Sequence, residues 1–83
     1  MYYVYLLKSL VRPWHYIGST DDLRIRFAEH NGGKVKSTKP HRPFELIYYE
    51  VYASKTAVRV REVELKINSQ QRELLYKRLI NLL

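Results

Sequence analysis

The segment that most restricts the fold lies at the start of the chain. Tyr2-Tyr-Val-Tyr-Leu-Leu7 is aromatic and β-branched, the composition of a strand, and Trp14-His-Tyr-Ile-Gly18 follows after only a turn region around Arg12-Pro13. Strands this near in sequence pair as an antiparallel hairpin, because a parallel pair needs a crossover of roughly a dozen residues or more. Side chains alternate along a strand, so Tyr3, Tyr5 and Leu7 share one face. Within such a hairpin Tyr5 and Tyr16 can sit side by side at its base. Gly18 ends the second strand where the backbone needs positive φ or close approach.

The remaining elements follow from caps and periodicity. Ser19-Thr20-Asp21-Asp22 supplies N-cap candidates and first-turn acids for a helix reaching about His30, with Leu23 and Phe27 as its i,i+4 core pair. Asn31-Gly32-Gly33 stops it, and the basic loop 34–43, with its two prolines, is expected to be irregular. Phe44-Glu-Leu-Ile-Tyr-Tyr-Glu-Val-Tyr52 is the strongest strand signal in the chain. Ser54 caps a second helix, roughly 55–67. Asn68 or Ser69, with Gln71, caps a third, roughly 70–82, within the C-terminal segment 69–83. Leu75, Leu79, Leu82 and Leu83 give that helix its apolar side, and Leu79-Ile80-Asn81-Leu82-Leu83 could pair two chains where the core does not consume it. The order is β-β-α-β-α-α, and no crossover joins two obviously parallel strands. The expected class is α+β: a three-stranded, mostly antiparallel sheet packed with three helices. At 83 residues the chain reads as a single domain, 1–83.

Composition narrows the chemistry. With no cysteine, disulfide frameworks, zinc knuckles, iron–sulfur sites and thiol catalysis are excluded. No apolar run approaches the roughly 18 residues of a membrane span, and the first ten residues lack the charged and small-residue features of a signal peptide. A cytoplasmic location away from membranes is therefore expected. The net charge of +7 favours a polyanionic partner, of which nucleic acid is the commonest inside a cell. Lys34-Val-Lys36-Ser-Thr-Lys39-Pro-His41-Arg42 contains no acid, and 8 of the aromatic residues are tyrosine, which offers both a stacking face and a hydroxyl.

Polar residues also stand beside these apolar patterns in a particular order. They are Tyr3-Val4-Tyr5, then Tyr16-Ile17-Gly18, then Arg26 and His30 four apart on one helix face, and finally Glu62 on the line of Val58 and Leu65. This arrangement resembles the GIY-YIG nuclease superfamily, whose signature is Gly-Ile-Tyr, about ten residues, Tyr-Ile-Gly, a helix with Arg and His, and a later helical Glu. The first triplet here keeps its tyrosine but has Tyr3 in place of glycine; the second is complete. Gly32-Gly33, Lys36-Ser-Thr38, Arg42-Pro43 and Ser54-Lys-Thr-Ala57 are similar to the small stand-alone bacterial branch, related to the N-terminal nuclease domain of the repair excinuclease. The resemblance covers about residues 2–67. Many family nucleases also carry an Asn some 12 to 15 residues after the Glu, but Leu74 to Lys77 contain none, and neither Asn68 nor Asn81 has the spacing.

The resemblance implies phosphodiester hydrolysis with one divalent ion, Mg²⁺ or Mn²⁺, and Glu62 as its ligand. Arg26 would grip the scissile phosphate, and Tyr5 and Tyr16 would orient and deprotonate the attacking water. A free phenol has a pKa near 10, too high for efficient base catalysis at neutral pH; a nearby cation could lower it, and Arg26, His30 and the metal are the candidates. His30 would polarise a tyrosine or relay its proton. Lys34, Lys36, Thr38, Lys39, Arg42 and Lys66 are the expected nucleic-acid contacts. DNA is favoured over RNA, in repair or in processing of unusual DNA, with a partner protein able to supply substrate specificity. The alternatives are a non-catalytic nucleic-acid-binding module on the same fold and a protein-interaction domain with a basic docking loop. DNA affinity without cleavage would point to the first, and no DNA affinity at low salt to the second.

Overall fold

In the computed structural model, which describes residues 1–82 with side chains through Leu79, β1 (Tyr2–Ser9) runs through the centre of the molecule. Val4, Tyr5, Leu6 and Leu7 are consecutive and all buried, so both faces of this strand are covered. β2 (His15–Thr20) and β3 (Phe44–Tyr52) flank it, and both pair antiparallel to it in the order β2-β1-β3. The sheet is thus antiparallel throughout, in agreement with the expected α+β class. β2 begins at His15, so Trp14 stands in the turn rather than the strand. Ser9 ties this turn down: its hydroxyl donates to the His41 carbonyl at 2.6 Å and accepts from the backbone N–H groups of Val11 and Arg12.

One face of the sheet carries α1 (Leu23–Asn31), and the other carries α2 (Lys55–Ile67) and α3 (Ser69–Leu82). Alternation along β1 sorts the core accordingly. Tyr5 and Leu7 pack with Phe44, Leu23, Phe27 and Leu46 on the α1 side. Val4 and Leu6 pack with Ile17, Val58, Leu65 and Leu75 on the other. β3 does not alternate simply. Leu6 pairs with Tyr48 and Leu7 with Leu46, which leaves Ile47 as the extra residue of a β-bulge. The bulge exchanges the two sets of positions, so Leu46 and Tyr49 share the α1 side while Ile47 and Tyr48 pack against α2 and α3.

The caps are local. Asp22 accepts from the Ile25 N–H at 3.1 Å, Ser54 from the Ala57 N–H at 3.2 Å, and Asn68 from the N–H groups of Gln70 and Gln71. Asp21 and Asp22 thus precede α1 rather than occupying its first turn. Gly33, at φ 77, turns the chain out of α1, and Asn31 fastens the helix end to β3 through both backbone groups of Phe44. The basic loop is more ordered than its composition suggests: a 3₁₀ turn spans Lys39–His41, and His41 stacks on Trp14 with ring centroids 3.8 Å apart. Leu75 is buried, and Leu79 and Tyr76 pack beside it. The expected apolar contributions of Ile80, Leu82 and Leu83, and the pairing they could support, lie outside the described side chains. Among the described residues no helix is long and apolar enough to cross a membrane.

Candidate active site

Tyr5 lies at the middle of the α1-facing side of the sheet, directly opposite Gly18 in the β1–β2 register. A Cβ at Gly18 would stand 2.5 Å from the Tyr5 hydroxyl oxygen and 2.9 Å from Cε2 of Tyr16. Glycine is required here by close approach: its missing side chain makes the room into which the Tyr5 ring leans. Tyr16 is paired with Leu7, so the two tyrosines are diagonal neighbours, with ring centroids 6.3 Å apart.

α1 closes this space from above. Leu23 and Phe27 hold it to the core, which turns the next side chains of the helix, Arg26 and His30, over Tyr5. His30 is 0% exposed, although its helix is only weakly amphipathic. Its Nε2 is 2.8 Å from the Tyr5 hydroxyl, and its Nδ1 is 2.8 Å from Oγ1 of Thr38. The Thr38 hydroxyl has one proton and directs it to the Val35 carbonyl at 3.3 Å. This network assigns the remaining protons: Nδ1–H donates to Thr38, and Nε2 accepts from the Tyr5 phenol. Thr38 is itself fully buried, so it supports the imidazole and does not face a nucleic acid. That corrects its expected place among the surface contacts; a short hydroxyl side chain in a basic loop carries no sequence mark of burial.

Burial holds His30 neutral, and the nearby Arg26 charge adds to the effect, bringing the imidazole down to about 4. Burial likewise pushes the Tyr5 phenol up to about 12, against the opposing influence of Arg26. Arg26 does lower this phenol, as expected of a neighbouring cation, but loss of hydration outweighs the guanidinium. Arg26 also pairs with Glu29 at 3.3 Å, and its own loss of hydration is outweighed by Tyr5 and Glu29, which keep it firmly charged.

Glu62 approaches from the opposite layer. α2 lies against the Val4 face and is held to β3 by Arg61, whose guanidinium donates twice to Glu50 at 2.9 and 3.0 Å and also bonds Glu64. Glu50 in turn accepts from the hydroxyls of Tyr48 and Tyr52. With α2 clamped in this way, Glu62 reaches the edge strand β2, where Ser19 donates to its Oε1 at 2.5 Å and Lys66 to its Oε2 at 2.8 Å. Burial alone would raise this carboxyl, but Lys66 and Ser19 outweigh it and hold it below the ordinary carboxylate value. Its charge is felt across the strand, where it opposes ionisation of Tyr5. Lys66 also lies 5.7 Å from the centre of the Tyr16 ring. Tyr5, Tyr16, Arg26, His30 and Glu62 thus gather around the edge strand β2. Ser19, Glu50 and Arg61 support them without any spacing that marks them in the sequence, and Thr38, which the sequence does single out, supports His30 instead of a ligand.

Lys34, Lys36, Lys39 and Arg42 are exposed on the loop after α1, and Lys66 is exposed beside Glu62. Among the described residues no group of three or more His, Asp or Glu side chains converges. The donor set is one ionised carboxylate beside one hydroxyl. It suits a hard ion that keeps most of its waters, not one that demands imidazole or thiolate.

The fold and this cluster define a small α+β domain with paired tyrosines backed by histidine and arginine and faced by one glutamate. The GIY-YIG catalytic domain matches residues 1–79, and the chain belongs to the GIY-YIG family. It is similar to UPF0213 proteins. One, from Staphylococcus haemolyticus, is 40% identical over 74 residues, 88% of this chain and 89% of that protein. Another, from Bacillus pumilus, is 37% identical over 76 residues, covering 90% and 76%. A solution NMR structure of a UPF0213 protein from Bacillus halodurans is similar with a TM-score of 0.57 and 31% identity, covering 92% of this chain and 82% of that one.

Proposed function

We propose that the protein is a metal-dependent endonuclease that hydrolyses phosphodiester bonds in DNA, in repair or in processing of unusual DNA structures. The observation that carries this reading is the Tyr5–His30 hydrogen bond lying beneath Arg26 and facing Glu62. Glu62 would hold one Mg²⁺ or Mn²⁺, with Lys66 swinging aside into solvent; such an ion supplies Lewis-acid stabilisation to phosphate oxygens. Arg26 binds the scissile phosphate and offsets the charge that develops on it.

Tyr5 starts protonated, so it accepts the water proton only as it gives its own to Nε2 of His30. Water forms the new oxygen–phosphorus bond as the bond to the leaving oxygen breaks with its electron pair; the proton taken from the water rests on the imidazole, and the leaving alkoxide takes its proton from solvent water. A phosphate on Arg26 partly neutralises the charge that depresses His30, so substrate improves the proton acceptor. Thr38 keeps Nδ1 protonated and Nε2 aimed at Tyr5. Tyr16 flanks the same water. Lys34, Lys36, Lys39 and Arg42 bind backbone phosphates, giving affinity that falls steeply with salt and little sequence preference.

Nicking of supercoiled plasmid and of branched and single-stranded DNA, with Mg²⁺ or with chelator, tests this. Cleavage that needs the ion and is lost in both Glu62→Gln and Arg26→Ala proteins is the expected result. Salt-sensitive binding with no cleavage by the parent would replace hydrolysis with a binding module.

A further inference from the structure

The sheet face that carries Tyr5 is covered on one side only. Leu7 and Phe44 are closed off, yet Tyr49 and Val51, on the same face of the outer strand β3, remain 52% and 48% exposed. Between α1 and β3 lies an open groove of about 520 Å³. Its walls are Tyr3, Tyr49, Leu23 and Phe27, and its polar members are Asp21, Asp22 and Arg24. None of these belongs to the cluster assigned to hydrolysis.

Three features narrow the occupant. The first is shape: Tyr3 and Tyr49 meet edge to face with centroids 6.1 Å apart, leaving an aromatic wall suited to a flat heteroaromatic ring. Tyr3 stands where the signature triplet has glycine, and glycine would leave that wall unbuilt. The second is charge. Two carboxylates repel a phosphate chain but accept hydrogen bonds from an exocyclic amino group, and Arg24 is the one cation among the lining residues. The third is position. Tyr49 is paired with Tyr5 across β1–β3, and Tyr3 precedes Tyr5 on the same face one pleat away, roughly 7 Å along the strand.

We propose that this groove is a base subsite that receives an unpaired nucleobase a nucleotide or two from the phosphate held by Arg26. The base stacks on Tyr49, its amino group is accepted by Asp21 and by the Asp22 oxygen not engaged in capping α1, and Arg24 meets the adjoining phosphate. Cytosine, adenine and guanine are favoured over thymine, which has no amino group. The assignment rests on the nucleic-acid reading above and explains how a domain with little sequence preference selects unusual DNA: fully paired bases are not available to the groove.

The test reads binding in chelator, so cleavage plays no part. A duplex with one unpaired 2-aminopurine is compared with its fully paired counterpart by anisotropy and by fluorescence quenching. The parent is expected to prefer the unpaired substrate and quench its fluorophore. Tyr49→Ala should reduce that preference at least about fivefold, the lower range for one lost base–aromatic stack, and Tyr49→Phe should retain it. Asp21→Asn should narrow discrimination against an unpaired thymine. Equal loss on both substrates, an unaltered preference in Tyr49→Ala, or a change in sedimentation showing a protein contact at Tyr49 would each overturn the subsite. Cleavage in the separate plasmid nicking assay with no quenching here removes the subsite alone, and quenching here with no cleavage in that assay removes only the hydrolytic reading. Absence of DNA affinity at low salt removes both.

Discussion

His30 makes the stability of this protein depend on pH in a direction that can be worked out. Its imidazole is buried between Tyr5 and Thr38 and is held at about 4, whereas histidine in an unfolded chain titrates near 6.5. Because the folded value is the lower one, the unfolded chain takes up the proton first as pH falls. The contribution is therefore complete above about pH 6.5 and is lost progressively toward pH 4. At about 1.4 kcal/mol per unit of separation, the loss over this window is about 3 kcal/mol, a large share for a domain whose total lies in the range of about 5–15 kcal/mol. Urea unfolding followed by far-UV circular dichroism between pH 4.5 and 7.5 measures it, with parent and His30→Gln proteins compared. His15 is also lowered, by burial and by Lys8, and acts in the same sense, so both proteins carry His15→Gln. Glu50 and Glu62 are held below the ordinary carboxylate value and lose their contribution only at lower pH, through their folded values. Near pH 5.5 the parent should lose slightly more than about 1 kcal/mol per pH unit, and His30→Gln much less. Equal slopes in the two proteins would refute the buried neutral imidazole and, with it, the Tyr5-to-His30 proton transfer.

Gly18→Ala forces a methyl group against the Tyr5 hydroxyl; a destabilisation of about 1–3 kcal/mol in urea unfolding is expected, with activity lost through displacement of Tyr5. Thr38→Val keeps the side-chain shape but leaves Nδ1–H without an acceptor, costing about 1–3 kcal/mol; nitrogen NMR of His30 should show the Nδ1–H tautomer eroded. Arg61→Met strips Glu50 of its cationic partner and loosens α2 on β3, so stability should fall by about 2 kcal/mol or more and the metal concentration for half-maximal cleavage should rise. A stable Arg61→Met protein with unchanged metal dependence would show that the clamp does not position Glu62.

Much of the architecture was legible in the chain because its causes are local. The caps at Asp22, Ser54 and Asn68, the stop at Gly32-Gly33 and the hairpin of β1 and β2 each depend on residues a few positions apart. The triplets with Arg26, His30 and Glu62 were legible too, since their order and spacing are sequence properties. Other features depend on which elements meet. The extra residue at Ile47 exchanges the faces of β3, and alternation read from Phe44 to Tyr52 cannot reveal a bulge that only the pairing with β1 defines. Thr38 reads as a surface residue until the loop folds it beneath His30. The phenol of Tyr5 looked open to lowering by a cation, yet desolvation by α1 and the sheet governs its ionisation. Glu62 joins the tyrosines only because Arg61 and Glu50 lock α2 against the sheet and Ser19 meets the carboxylate at β2. Local propensity and spacing thus specify the elements and name the reactive residues. Burial and cross-strand register, which exist only once distant segments pack, decide the protonation states of those residues and which of them meet.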